Sequence, residues 1–351
     1  MLLIRSRSGS KTRLGGGRTS CIRLAHTYED ITSVENLLAA WKEFVRGKRK
    51  KRDVQEFQYR LMDNILALHR DLAAGAYRHG GYEAFKISDP KPRDIHKASV
   101  QDRLLHHALY RKLYPFFDRT FIADSYSCRK AKGTHRAINR FRSFAYKASK
   151  NHTCTCWVLK CDVRKFFASI DQRILMSIVH WYIEDADVVR LVEQVVRSFN
   201  SGRDGKGLPL GNLTSQLFVN IYMNEFDQFV KHKLKAKHYV RYADDFVVLS
   251  QKKEWLVHIC RHIDIFLRER LKLDLHPGKT SIKTFSSGID FLGWVHFSDH
   301  RVLRTSTKRR MSVRMRDCNN ENVIASYLGL LKHGNTNTLT QPLRAKLKNL
   351  K

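Results

Sequence analysis

Three aspartates in two separated places constrain this chain more than anything else in it. Asp162 closes the strand-like run of LKCDVRKFFASID, and Asp244 and Asp245 lie inside HYVRYADDFVVLS. Each group stands where an apolar stretch stops, so a fold that pairs the two stretches crowds three carboxylates onto one sheet. Ionised oxygens that close repel one another unless cations sit between them. Paired divalent metals answer that repulsion, because hard cations of the Mg2+ kind take oxygen ligands. An Asp-Asp pair alone is ordinary turn chemistry. The apolar strands on either side of it, and the matching acid at Asp162, favour a metal site.

Charge narrows the partner. Lys and Arg number 65 against 33 Asp and Glu, a formal surplus of +32. Self-repulsion of that size is best relieved by a polyanion such as nucleic acid. At 351 residues with 42% hydrophobic content, the chain has apolar material for real cores and too much length for one, so two or three lobes are expected. Seven irregularly spaced cysteines and no secretory leader point to a reducing cytoplasm. His152, Cys154 and Cys156 offer half of a zinc site, but no second ligand pair follows, so ordinary strand residues are expected there. No apolar run reaches the roughly 18 residues needed to cross a bilayer, and no membrane partner is expected.

Residues 1–27 are rich in Arg, Ser and Gly and read as a flexible basic tail. A capping box of Asp53 and Glu56 opens a helix carrying Val54, Phe57, Leu61, Ile65, Leu68 and Leu72 as far as Gly75. GYEAFKISDPKPRDIHK reads as two short strands around a turn at Asp89-Pro90-Lys91. An aromatic helix and the loop SYSCRKAKGTHRA come next, then the strand CWVLKCD. Helices are expected over 187–199, after GLPLGNLTSQ and over Glu254–Leu271. HYVRYADDFVVLS reads as strand–turn–strand, with further strands near Ile282 and over Phe291–Val295. Strands and helices intermix without a βαβ rhythm, which indicates an α+β fold.

These blocks, in this order, resemble the reverse transcriptases over roughly residues 80–296. YADD at 242–245 is similar to the family signature, FKISDPKPRDI to the fingers hairpin, DVRKFF to the first palm block and GLPLGNLTSQ to the template–nucleotide block. LKLDLHPGKT and FLGWV resemble the last two palm blocks. The resemblance implies a right-hand polymerase: N-terminal helices and fingers over 28–155, a palm over 156–296 with fingers helices inserted near 185–215, and a small helical thumb over 297–351. It implies that Asp162, Asp244 and Asp245 hold two Mg2+ ions, with Mn2+ as a substitute, for nucleotidyl transfer from dNTPs. Lys86 and Arg93 would clamp the triphosphate, with Val163, Leu210, Gly211 and Gln216 around the nucleotide. Phe167 would exclude a ribose 2′-hydroxyl, and Lys279 would act as general acid toward pyrophosphate. Tyr242, Phe291, Leu292, Gly293 and Trp294 would face the primer end. Arg304, Lys308, Arg309 and Arg310 would track an RNA–DNA hybrid, with Tyr327 packing the thumb core.

One departure is informative. Many reverse transcriptases have Gln before the block's Gly and Ser-Pro after it; here the order is Leu210-Gly211-Asn212-Leu213-Thr214-Ser215-Gln216. That pattern, with SYSCRKAKGTHRA and SYLGLLKHGNT, resembles the enzymes of diversity-generating retroelements. The resemblance implies a retroelement template RNA, a small basic accessory protein and frequent errors at template adenines. Leu210 cannot offer the amide hydrogen bonds of Gln, and apolar contact discriminates weakly. An end near Lys351 leaves little room for a ribonuclease H or maturase extension. Retron, group II intron-like and antiphage abortive-infection enzymes share these blocks, and a silent RNA-binding protein remains the reading from another class.

Overall fold

The computed structural model describes residues 22–88, 92–316 and 320–350. Residues 1–21 of the basic tail, Cys21, the turn Asp89-Pro90-Lys91, Asp317, Cys318 and Lys351 lie outside the described residues. The chain separates into two compact units.

The first unit draws on the chain up to Phe121, on Arg164–Asp227 and on Ile265–Asp274. Among the described residues it is helical apart from one ribbon. Helix Val34–Phe44 buries Leu37, Ala40, Trp41 and Phe44, and packs against helix Val100–Asp118, which buries Leu104, Leu105, Ala108 and Leu109. The helix expected from Asp53 is two helices, Arg52–Tyr59 and Leu61–Ala73, parted at Arg60, where φ is −116° and ψ is 46°. Asp53 does not cap the first. Its carboxylate lies 2.6 Å from Arg103 and 3.0 Å from Lys97, so tertiary cations hold the group that the local pattern assigned to a cap. Gly75 does end the second helix, at φ +66°, a left-handed stop that costs glycine little.

Strands β1 (Tyr82–Ile87) and β2 (Arg93–Ala98) form the ribbon as an antiparallel pair. Helix Gln172–Tyr182 escaped the sequence reading. Asp171 caps it, accepting from the N–H groups of Arg173 and Ile174. Helix Ala186–Arg197 buries Val188, Val192 and Val195, and helix Leu213–Gln228 buries Phe218, Tyr222 and Phe226.

The second unit comprises Ile122–Val163, Gln228–Asp264 and the chain from Leu275. Its main sheet contains β3 (Trp157–Asp162), β4 (His238–Tyr242), β5 (Asp245–Ser250) and β6 (Ser281–Thr284), in the order β4-β5-β3-β6, all antiparallel. Phe246, Val247, Val248 and Leu249 of β5 are buried without alternation, as a central strand covered on both faces requires. Helix Thr134–Ala148 packs Ile138, Phe141 and Phe144 into the same core.

A smaller sheet joins β7 (Ile289–Phe291), β8 (Trp294–His296) and β9 (Arg301–Leu303). The single strand expected over Phe291–Val295 is a hairpin. Leu292 and Gly293 turn the chain at φ +51° and +87°, the left-handed pair that a tight two-residue hairpin loop demands. Helices Thr305–Arg316, Glu321–Leu331 and Asn337–Asn349 follow. Tyr327 packs half-buried against the core, as expected.

Candidate active site

Within the second unit, the ladder brings the acids together. Asp162, the last residue of β3, stands directly opposite Asp245, the first of β5, and Tyr242 is the partner of Asp245 on β4. Residues opposite one another in an antiparallel pair point to the same face, with Cα atoms about 5 Å apart. Asp244 occupies the turn, and its carbonyl accepts from the Val163 N–H at 3.2 Å. The Tyr242 hydroxyl receives the Thr134 hydroxyl at 3.1 Å.

Burial, against a pull the other way from Lys160 and with repulsion from Asp162 and Asp244, pushes Asp245 up to about 6. One of its carboxylate oxygens is buried with no hydrogen-bond partner. An orphaned oxygen among like charges costs free energy that a cation would recover. The donor set is all oxygen, which suits Mg2+ and not zinc. It is not a finished cage: among the described residues no three His, Cys, Asp or Glu side chains are gathered for a metal. A cation held by these acids would take its remaining ligands from substrate phosphate and water. Of the half zinc site, Cys156 is buried and Cys154 exposed.

Lys279 sits beside this cluster, its ammonium donating to Asp162 at 2.8 Å. Lys160, two residues before Asp162 on the same face of β3, donates to the Asp290 carbonyl. Sequence reasoning missed Lys160; the two-residue spacing from Asp162 was the available signal.

Several expected contacts are corrected. Phe291 and Trp294 are 0% and 1% exposed, so their rings cannot lie against a primer. Phe291 packs on Phe141 with centroids 5.2 Å apart, and a Cβ on Gly334 would come within 2.1 Å of the Trp294 indole. Only the Leu292-Gly293 turn remains half-exposed. Val163 is buried, leaving its backbone alone to contribute. Arg304, half-exposed, pairs with Asp290, and buried Arg301 donates to the His333 carbonyl and to Asn139. Lys308 and Arg309 are exposed on helix Thr305–Arg316 and Arg310 half-exposed, while Met311 and Met315 bury its other face.

Within the first unit, Lys86 pairs with Asp94, and Ile87 with Arg93. Alternation therefore puts Lys86 and Arg93 on opposite faces of the ribbon. On the Lys86 face lies a cavity of about 410 Å³ lined by Lys86, Asp94, His96, Phe167, Phe199 and Leu210. Of the neighbouring phenylalanines, Phe166 is buried in the core and Phe167 is half-buried at the cavity wall.

The loop before helix Leu213–Gln228 is strapped to β2. The His96 N–H donates to the Leu210 carbonyl at 3.0 Å, and the Asn212 amide donates to the His96 carbonyl at 2.8 Å. Gly211 has φ +104°, and a Cβ there would stand 2.8 Å from the Ile95 side chain. Gln216 is half-buried at the start of the helix. Asn212 also escaped the sequence reading, since nothing in the pattern marks it as a strap.

Paired strands ending in three acids, and a separate lysine-bearing ribbon beside an aromatic cavity, are the parts of a template-directed polymerase. The family model "Reverse transcriptase (RNA-dependent DNA polymerase)" matches residues 87–296, and the chain belongs to that family. Its fold class is the right-hand polymerase, its enzyme class RNA-directed DNA polymerase, and template RNA is its family's partner.

The chain is 26% identical to Protein YkfC of Escherichia coli (strain K12), over 72% of this chain and 74% of that protein. It is 22% identical to the group II intron-encoded protein LtrA of Lactococcus lactis subsp. cremoris, over 67% of this chain and 49% of that one. Telomerase from Candida albicans, solved with a fragment of telomeric RNA, superposes with a TM-score of 0.51 at 10% identity, over 73% of this chain and 51% of that one. That last likeness concerns the fold alone. The chain spans about half the length of LtrA. No helix among the described residues is long and apolar enough to cross a membrane.

Proposed function

We propose that this protein copies the template RNA of a retroelement into cDNA, using dNTPs and two divalent cations. The observation that carries the reading is the register that sets Asp162 against Asp245 with Asp244 in the adjoining turn. These three carboxylates would hold Mg2+, with Mn2+ as a substitute. When bound, the ions activate the primer 3′-hydroxyl and neutralise charge on the triphosphate. Lys86 meets the triphosphate from the ribbon, and Arg93 contributes from the ribbon's other face. Phe167 narrows the cavity against a 2′-hydroxyl. Gly211 lets the backbone approach the templating pair. Lys279 holds a proton at its ammonium beside Asp162, where pyrophosphate would leave. Residues 28–155, 156–296 and 297–351 act as fingers, palm and thumb, and the exposed cations of helix Thr305–Arg316 follow the hybrid backbone. The setting is cytoplasmic.

Within the family, we place it with the diversity-generating retroelements, working with a small basic accessory protein. Leu210 before Gly211 and Gln216 after Ser215 support that placement. LtrA favours a second reading, a group II intron-like enzyme. Incorporation of dTTP on poly(rA)/oligo(dT) with Mg2+, present in the native protein and absent in Asp244→Ala, tests the polymerase. Sequencing cDNA from Leu210→Gln tests the residue that supports the placement: fewer errors at template adenines are expected, and an unchanged error rate removes the idea that Leu210 lowers fidelity.

A further inference from the structure

The turn that presents Asp244 is not built from the residues such a turn prefers. Ala243, its first central residue, has φ +55°. A left-handed backbone crowds an alanine's Cβ against the following carbonyl oxygen, and glycine is the usual occupant. Such a conformation persists only where its surroundings over-determine it. The Asp244 carbonyl is held by the Val163 N–H at 3.2 Å. The Ala243 carbonyl is held by a side chain: the Arg241 guanidinium donates to it at 3.1 Å.

Arg241 is itself anomalous. It is an arginine 1% exposed, on β4 between Val240 and Tyr242. Its backbone is fastened on both sides. It pairs with Phe246 of β5, donates to the Asp124 carbonyl at 3.0 Å and accepts from the Tyr126 N–H at 2.9 Å. Its stem therefore has no freedom to drift, and its planar fork reaches forward two residues to the turn. An apolar residue would fill a buried strand position at lower cost than a guanidinium, which must be desolvated. A lysine would place a rotatable point charge there instead of a rigid fork.

We propose that Arg241 is a positioning residue for nucleotidyl transfer. By gripping the Ala243 carbonyl it keeps the turn left-handed, so that Asp244 reaches the face shared by Asp162 and Asp245. The inference rests on the polymerase reading for its catalytic consequence, but the contact itself can be judged separately. In this role Arg241 acts through the turn.

The test is a double-mutant cycle of Arg241→Met with Ala243→Gly, read by single-turnover dTTP incorporation, hybrid binding and urea denaturation. Arg241→Met should slow incorporation about 100-fold, as misplacement of a reacting group by about 1 Å does. Affinity for the RNA–DNA hybrid should stay within about twofold, because the phosphate-contacting surface is untouched. Glycine at 243 removes the left-handed penalty, so the same substitution should cost only about tenfold in that background, a coupling of the size found between residues in contact. An equal loss in both backgrounds, or a loss of hybrid binding that parallels the loss of rate, overturns the proposal. Should Arg241→Met fail to fold, Arg241→Lys is put through the same cycle under the same criterion. Should the native protein incorporate nothing, the polymerase reading fails, and the urea midpoints alone decide whether 241 and 243 are coupled.

Discussion

The acid cluster and the ribbon that carries Lys86 are held by different means. Asp162 and Asp245 are cross-strand partners in a four-stranded sheet with a buried centre, so their relation is set by a hydrogen-bonded ladder. A one-residue slip would send every side chain of β5 to the opposite face and unmatch the packing on both, which makes that relation hard to disturb. Lys86 stands on a two-stranded ribbon whose first strand is exposed over Glu83–Lys86. Two strands alone are marginal in water. The ribbon is steadied from outside, by the strap of bonds from His96 to Leu210 and from Asn212 to His96 and by contacts such as Tyr82 with Ser198 and Lys97 with Asp53. On the proposed reading, rigid support goes to the acids that would hold the metal ions, and adjustable support goes to the lysine that would meet the substrate.

The contrast can be broken most severely at the sheet. Asp162→Ala or Asp244→Ala should lower incorporation by at least about 10³-fold while hybrid binding survives, as loss of a group acting mainly in the transition state does. Retention of more than a tenth of native activity would remove these acids from the chemistry.

Next comes the strap. Gly211→Ala sets a Cβ 2.8 Å from Ile95 on a backbone at φ +104°, so the loop must move. Misplacement of that order predicts a drop of about 10–100-fold in kcat/KM for dNTPs. A change confined to urea stability would show that the loop merely packs.

Phe167→Ala opens the cavity without touching the strap. The preference for dNTP over NTP should fall by about 10–200-fold, the span that a steric pocket commands. Competition between dTTP and UTP on poly(rA) reads it directly, and an unaltered ratio would mean that Phe167 does not gate.

The smallest effect at neutral pH concerns the first unit's stability. Burial, aided by the neighbouring His79, lowers His106 to about 3, and burial lowers His107 to about 4. Both folded values lie below the unfolded 6.5, so the unfolded chain binds the extra protons. Their contribution is complete above about pH 6.5 and erodes as pH falls toward 3–4, by about 1.4 kcal/mol per pH unit for each histidine. Urea midpoints at pH 7 and pH 5 should show the drop, and His106→Leu should reduce it. In the second unit Asp245 works the other way. Its folded value of about 6 exceeds the unfolded 3.8, so it gains stability as pH falls from about 6. A midpoint that rises on acidification would refute the assignment to His106 and His107.

Much of this was legible without coordinates. The strand–turn–strand at YADD, the strand ending at Asp162 and the ribbon around 82–98 follow from apolar runs bounded by turn residues, a local signal. The reverse-transcriptase blocks followed from order along the chain, which is also local. What misled was burial. Phe291 and Trp294 read as primer-facing aromatics because nothing within FLGWV reveals that Phe141 and Gly334, distant in sequence, cover them. Asp53 read as a helix cap because Arg103 and Lys97 lie far along the chain.

The sequence by itself determined which chemistry is available: three acids at strand ends, a lysine and an arginine on neighbouring strands, a glycine before a helix. Only tertiary structure decided which of these groups face one another. Ladder register set Asp162 opposite Asp245, and the same alternation parted Lys86 from Arg93. Type and spacing are properties of a local stretch, whereas facing depends on pairing between strands that meet only when the whole chain packs.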